Sequence, residues 1–183
     1  MRLSKIEEIQ AQLNLPFRET EEDHLELIFN TLEREFGLKR FSKQKLLDLG
    51  AGNGIVIFYA ALKWGIRAIG IEINEELVEE MKQKLSALKS QKPKIPRKIL
   101  KKINIIHGDF YSLNLRPFDF IFIYGLPTMH KFLKHLIVSM KKDAILISHI
   151  YPIAIFENLL NLKKEILHKG KTDALKTFLY KKI

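Results

Sequence analysis

With 183 residues, 46% of them hydrophobic, the chain can bury one good core and is expected to form a single domain. It has no cysteine, which excludes disulfides, zinc–thiolate sites, iron–sulfur clusters and any thiol nucleophile. The net charge of +10 is uneven: residues 1–36 hold 4 basic and 9 acidic side chains, and the rest of the chain 27 and 12.

A basic surface raises encounter rates with nucleic acid, acidic proteins or anionic membrane, although solvated lysine faces without a partner are as common. No apolar run reaches the length of a membrane span, and the opening MRLSKIEEIQAQL lacks a secretory apolar region. A cytoplasmic, monomeric protein without membrane contact is the expectation.

In chain order, Leu3, Ile6, Ile9 and Leu13 have helical spacing up to Asn14-Leu15-Pro16. Thr20-Glu21-Glu22-Asp23 resembles a capping box, so a second helix is predicted from Thr20 to Gly37, with Leu25, Ile28, Phe29, Leu32 and Phe36 on its apolar face. Strands and helices then alternate. LLDLG is a strand, Ile55 to Trp64 a helix closed by Gly65, IRAIGIEI a strand, and Asn74 the cap of a helix to about Lys89. The piece Lys89 to Lys102, with seven basic residues and no acid, reads as a surface loop. INIIHGD, the continuous apolar FDFIFIYG and AILISHI are further strands, with a helix from Met129 to Met140 between the last two. This order predicts a parallel sheet with helices on both faces. In the tail, Leu159, Leu160, Leu162, Ile166 and Leu167 fit a helix, yet HKGKTD before LKTFLYKK also reads as a turn and a last strand.

Between the first strand and its helix stands Gly50-Ala51-Gly52-Asn53-Gly54. A dinucleotide fingerprint needs G-x-G-x-x-G, and here the third glycine comes one residue early, with no Lys-Ser/Thr behind it. Such a loop can take a nucleoside against bare backbone, but it is not built for a pyrophosphate. Eighteen residues past Gly54, Glu72 ends the second strand, where a carboxylate can accept from a ribose diol. Asp109, at the end of the third strand, can accept from an adenine amino group, and Phe110 offers an apolar face and a backbone N–H.

LLDLGAGNG, IGIEIN, HGDF and FDFIFIYGLP resemble, in order and spacing, the first four motifs of the Rossmann-like (class I) S-adenosylmethionine-dependent methyltransferases, over about residues 45–150. The resemblance implies a Rossmann-like α/β three-layer sandwich. Its seven-stranded sheet would be mostly parallel, ending in a hairpin with an antiparallel last strand, behind an N-terminal helical cap. The implied division is a cap over 1–40, a cofactor-binding core over 41–150 and a tail over 151–183. It further implies S-adenosyl-L-methionine as cofactor. Asp48 and Gly50 to Gly54 would flank its methionine part, Glu72 its ribose, and Asp109 and Phe110 its adenine, with Thr20, Ile73 and Tyr124 completing the set.

The methyl acceptor is less constrained. Cytosine C5 chemistry needs the absent cysteine, and Tyr124-Gly125-Leu126-Pro127-Thr128 departs from the Asn/Asp-Pro-Pro-aromatic pattern of enzymes acting on planar nitrogens. No histidine pair has ligand spacing with a carboxylate beside it, so no metal is expected. His24, His107, His130, His135, His149 and His168 each read as surface or hydrogen-bonded structural residues, with His149 nearest the cleft. Leu15-Pro16-Phe17-Arg18-Glu19-Thr20, Leu126-Pro127-Thr128 and Ser148-His149 resemble a group of archaeal and mitochondrial-type protein-lysine methyltransferases. Arg18 and Glu19 depart from that group's Val and Pro, and LPFRET reads equally as a helix-entry turn capped by Thr20. The resemblance implies a protein substrate with accessible lysines. A tight apolar channel would favour the neutral amine by desolvation, and its candidate residues are Phe17, Tyr124, Pro127 and Tyr151. The alternatives are RNA, met through the 89–102 piece, a small molecule, or a non-catalytic module that binds the cofactor.

Overall fold

The computed structural model describes residues 22–90, 92, 94–168 and 175–183. The helix read over residues 3–14, Thr20 and Glu21 of the capping box, and the Phe17–Thr20 part of the implied site lie outside these residues.

Helix α1 (Glu22–Phe36) leads into β1 (Lys45–Leu49), followed by α2 (Ile55–Trp64), β2 (Arg67–Glu72) and α3 (Glu75–Ser90). A single turn, α4 (Arg97–Leu100), precedes β3 (Ile103–His107). A three-residue turn at Phe110–Ser112 leads to β4 (Phe120–Ile123), and α5 (Pro127–His130) and α6 (Lys134–Ser139) precede β5 (Ile145–His149). Strands β6 (Leu160–His168) and β7 (Leu175–Lys182) close the chain.

The sheet order is β3-β2-β1-β4-β5-β7-β6, with β1 to β5 parallel and β7 antiparallel to both of its neighbours. This is the Rossmann-like methyltransferase architecture that the motifs imply. All four residues of β4 are buried, as an apolar strand covered on both faces should be. On one face Leu25, Phe29, Ile57, Trp64, Val78 and Met81 bring α1, α2 and α3 onto the sheet. On the other, Leu136 and Ile137 of α6 pack over Leu47, Ile121 and Leu146.

Two readings change, and one left open is decided. The predicted helix from Met129 to Met140 is two short helices. Between them Phe132 and Leu133 donate to carbonyls three residues back, and His130 turns its Nε2 to the Gly125 carbonyl at 3.0 Å. The basic piece is not simply a loop: α4 interrupts it, anchored by buried Ile99 and Leu100. The helical spacing in the tail belongs to β6, where a register shift between Leu162 and Lys164 disturbs the two-residue alternation.

Candidate functional site

The glycine loop sits at the carboxyl end of β1, where open parallel sheets bind ligands. Gly50, Gly52 and Gly54 have φ of 79°, 54° and 80°, the left-handed region that glycine enters without strain. The amides of Gly50 and Ala51 both donate to the Ile71 carbonyl at 3.0 Å, which ties the loop to β2. A side chain at Gly54 would run into Met81 and Phe58, so this glycine serves packing. One at Gly50 would meet open space, so there the loop turns bare backbone outward.

Glu72 is the hinge of the arrangement, and it is only 8% exposed. Its Oε2 accepts from the Gly52 amide at 2.9 Å, and its Oε1 from Ile73 and Asn74 at 2.9 and 3.0 Å. The carboxylate thus holds the loop as well as facing the cleft, a role that its position at a strand end does not announce. Asp48, one strand away, is also buried, and burial together with the Glu72 charge holds its carboxyl well above the usual range. Asp109 caps the turn after β3 through its Oδ1, which accepts from the Tyr111 amide at 2.8 Å, and the residue stays exposed. Ile73 is exposed, and Phe110 is half-buried against the Tyr111 ring. Asn53 turns its Oδ1 to the Ile55 amide at 3.2 Å. Bare backbone, strand-end acids and an apolar ring together suit a nucleoside carrying a cationic amino-acid tail.

Beyond β4 and β5 the site becomes aromatic. The Tyr124 and Tyr151 rings lie nearly parallel, 18° apart, with centroids 6.3 Å apart, and Pro127 opens α5 three residues after Tyr124. Ile150, just before Tyr151, has φ of 72°, a conformation costing a β-branched residue roughly 1–2 kcal/mol. The Ile150 amide bonded to the Lys176 carbonyl, and the Ser148 hydroxyl bonded to the Tyr151 carbonyl, hold this turn. Tyr151 is therefore aimed by the terminal hairpin.

Behind Tyr124 lies a buried group that the sequence does not foreshadow: His24 from α1, His149 from β5 and His168 from β6. The His24 and His168 rings are 4.1 Å apart, and His149 is 5.5 Å from His168 and 5.6 Å from Tyr124. Thr177 Oγ1 bridges His149 Nδ1 and His168 Nε2, each at 2.7 Å. His168 Nδ1 is buried with no partner. Among the described residues no cluster of ligands could hold a metal ion.

Burial and the neighbouring rings push His149 down to about 3 and His168 down to about 4. Both values lie below the unfolded one, so the stability is complete above pH ~6.5 and is lost as pH falls toward these values. By pH ~5 a fully shifted histidine has withdrawn about 2 kcal/mol. The melting temperature should fall between pH 7 and 5, and His149→Gln should flatten that dependence. An equal fall in the variant would remove His149 from the account.

The model of the ANTKMT methyltransferase domain family matches residues 48–158, spanning the glycine loop, Glu72, Asp109 and the Tyr124–Tyr151 turn. The chain belongs to this family. Among solved structures, an RNA methyltransferase from Salinibacter ruber in complex with S-adenosyl-L-homocysteine is similar at 18% identity and a TM-score of 0.67, over 88% of this chain and 93% of that one. The m1A22 tRNA methyltransferase TrmK of B. subtilis is similar at 15% and 0.62, over 84% and 64%. An rRNA methylase from Streptococcus thermophilus is similar at 13% and 0.58, over 91% and 99%. No curated protein matches the chain by sequence. The protein is an S-adenosylmethionine-dependent methyltransferase, and S-adenosyl-L-methionine is its cofactor. Among the described residues of the methyltransferase, no helix is long and apolar enough to cross a membrane.

Proposed function

We propose that this methyltransferase acts on lysine side chains of proteins. The observation carrying the reading is the acceptor side of the cleft: parallel Tyr124 and Tyr151 rings, with an uncharged, deeply buried His149 behind them. A lysine with a reference pKa of about 10.4 must shed a proton before it can attack. An apolar aromatic channel favours the neutral amine by desolvation, and in-line alignment with an activated methyl asks for little more. Tyr124 and Tyr151 form the walls, Pro127 fixes the turn, and Phe17 belongs to the same proposal by motif alone. The whole chain is read as one cytoplasmic methyltransferase domain.

Labelled cofactor incubated with cell lysate tests this directly. Label recovered as methyl-lysine, rising with pH above neutrality, is the expected result. Label confined to RNA or small molecules would overturn it, and cofactor binding without any turnover would favour a non-catalytic binding module. The RNA alternative draws on the substrates named for the three structural neighbours.

On the cofactor side, we assign Asp48 and the Gly50–Gly54 loop, with Ala51 and Asn53, to the methionine part. Glu72 and Ile73 take the ribose, Asp109 and Phe110 the adenine, and Thr20 and Tyr124 border the site. S-adenosyl-L-methionine supplies an activated methyl on a cationic sulfur. A cation beside Asp48 would lower its raised pKa, so binding should release a proton wherever the free protein holds Asp48 protonated. Calorimetry in two buffers of different ionisation enthalpy should then give different apparent heats, and Asp48→Asn should make them coincide. Coincident heats in the unaltered protein would place the cation elsewhere.

A further inference from the structure

The fold sorts charge by end. The segments that carry the chain from each helix or turn into the next parallel strand are residues 37–45, 65–67, 91–103, 113–120 and 140–145. Together they hold 14 basic and 2 acidic residues. Both acids are taken: Asp119 pairs with Lys141 at 2.6 Å and Asp143 with Lys181 at 2.8 Å. The segments leaving the same strands, at the cofactor end, are residues 50–55, 73–75, 108–110, 124–127 and 150–159, with 3 acidic residues and no lysine or arginine. Arg67, Arg97, Lys98 and Lys101 at the basic end are exposed and have no ion pair among the described residues.

A groove of about 630 Å³ opens beside this end. It exists because β3 and β4 are joined by a three-residue turn rather than a full helix, which leaves β3 and the start of β2 partly bare. Ile69, Ile106 and Phe118 line it, and Lys45, Arg67 and Lys82 rim it. Ile106 is 41% exposed. Nearby Phe41, between Arg40 and Lys43, is 67% exposed and held at φ 56°.

We infer that the end of the methyltransferase opposite the cofactor loop binds single-stranded nucleic acid, with phosphates on the basic rim and a base in the apolar groove. Basic side chains along the backbone path, beside apolar and aromatic surface for unstacked bases, are what such a ligand needs. A folded protein segment would have to match this rim with acids, whereas a nucleic acid brings one charge per nucleotide. The site is remote from the acceptor aromatics, so the nucleic acid here anchors the enzyme and is not the methylated group. The inference does not rest on the lysine reading.

The test uses the full chain and a labelled oligouridylate of about 20 nucleotides, followed by fluorescence anisotropy from roughly 50 to 200 mM salt. Replacing Arg67, Arg97, Lys98 and Lys101 with Ser should weaken binding at least tenfold. It should also flatten the salt slope by about 3, at ~0.7 per lost phosphate contact on a single strand. Ile106→Glu should weaken binding severalfold, and S-adenosylmethionine should bind as well with the oligonucleotide present as without it. Unchanged affinity in the quadruple variant would overturn the inference, as would competition with the cofactor. Binding to phosphatidylglycerol vesicles but not to RNA, or a groove closed by self-association, would overturn it too. Should the quadruple variant melt early, a salt-independent affinity in the unaltered protein would overturn it equally.

Discussion

Glu72→Ala should weaken S-adenosylmethionine binding about 10- to 150-fold, the 1.5–3 kcal/mol of hydrogen bonds to a charged group, and should also lower the melting temperature. The second effect comes from the loop. Three backbone amides, those of Gly52, Ile73 and Asn74, donate to this one carboxylate, and alanine leaves all three without this partner, the Gly52 amide in a buried place. Glu72→Gln separates the contributions. A glutamine oxygen can still receive Ile73 and Asn74, but its NH2 group then faces the Gly52 amide, donor against donor. The loop should shift while β2 and α3 keep their junction, so the Gln variant should melt near the unaltered protein yet bind poorly. Calorimetry and thermal melts on both variants check this. A Gln variant that binds normally would show that neither the carboxylate nor its grip on Gly52 matters to the cofactor.

Gly54→Val should cost about 2–5 kcal/mol of stability, a large share of the total for a domain of this size. Two causes add. The backbone there is at φ 80°, which costs a residue with a Cβ roughly 1–2 kcal/mol. The new Cβ would also stand 2.9 Å from Met81 Cγ and Sδ and 3.0 Å from Phe58, and overpacking of that kind costs about 1–3 kcal/mol. Gly50→Ala is the control. It carries the same backbone strain at φ 79°, but its Cβ would meet nothing within 4 Å, so only the first cost applies. Urea melts of the two variants should therefore differ by at least 1 kcal/mol. Equal losses would mean that the conformation, not the packing of α2 against α3, decides the effect.

These contrasts show what the sequence could and could not tell. The glycine loop, Glu72 and Asp109 are legible because strand-end chemistry is local: a strand, a turn and a helix start within a few residues, and the alternation places all three at one end of the sheet. The Asn74 cap and the Gly65 stop are legible for the same reason, and the structure has Asn74 Oδ1 accepting from Glu76 and Leu77. The terminal hairpin was obscured by the shift at Leu162/Lys164, which breaks the alternation that marks a strand. The histidine group was out of reach. His24 and His149 are 125 residues apart in the chain and meet only because α1 packs beside the hairpin. No spacing rule finds such a meeting. The break after His130 depends likewise on a side chain reaching back to a carbonyl.

The short β3–β4 connection has a dynamic consequence. Among the described strands β3 is an outer one, hydrogen-bonded to β2 alone, and its burial pattern leaves Asn104, Ile106 and His107 exposed. β1 and β4, in the middle of the sheet, are covered on both sides by the two cores. Local opening is easiest where few apolar contacts oppose it. Amide hydrogen exchange should therefore slow stepwise from β3 through β2 to β1 and β4. The backbone amides of β3 should exchange through openings far smaller than global unfolding, so this strand is the seam along which the domain first comes apart.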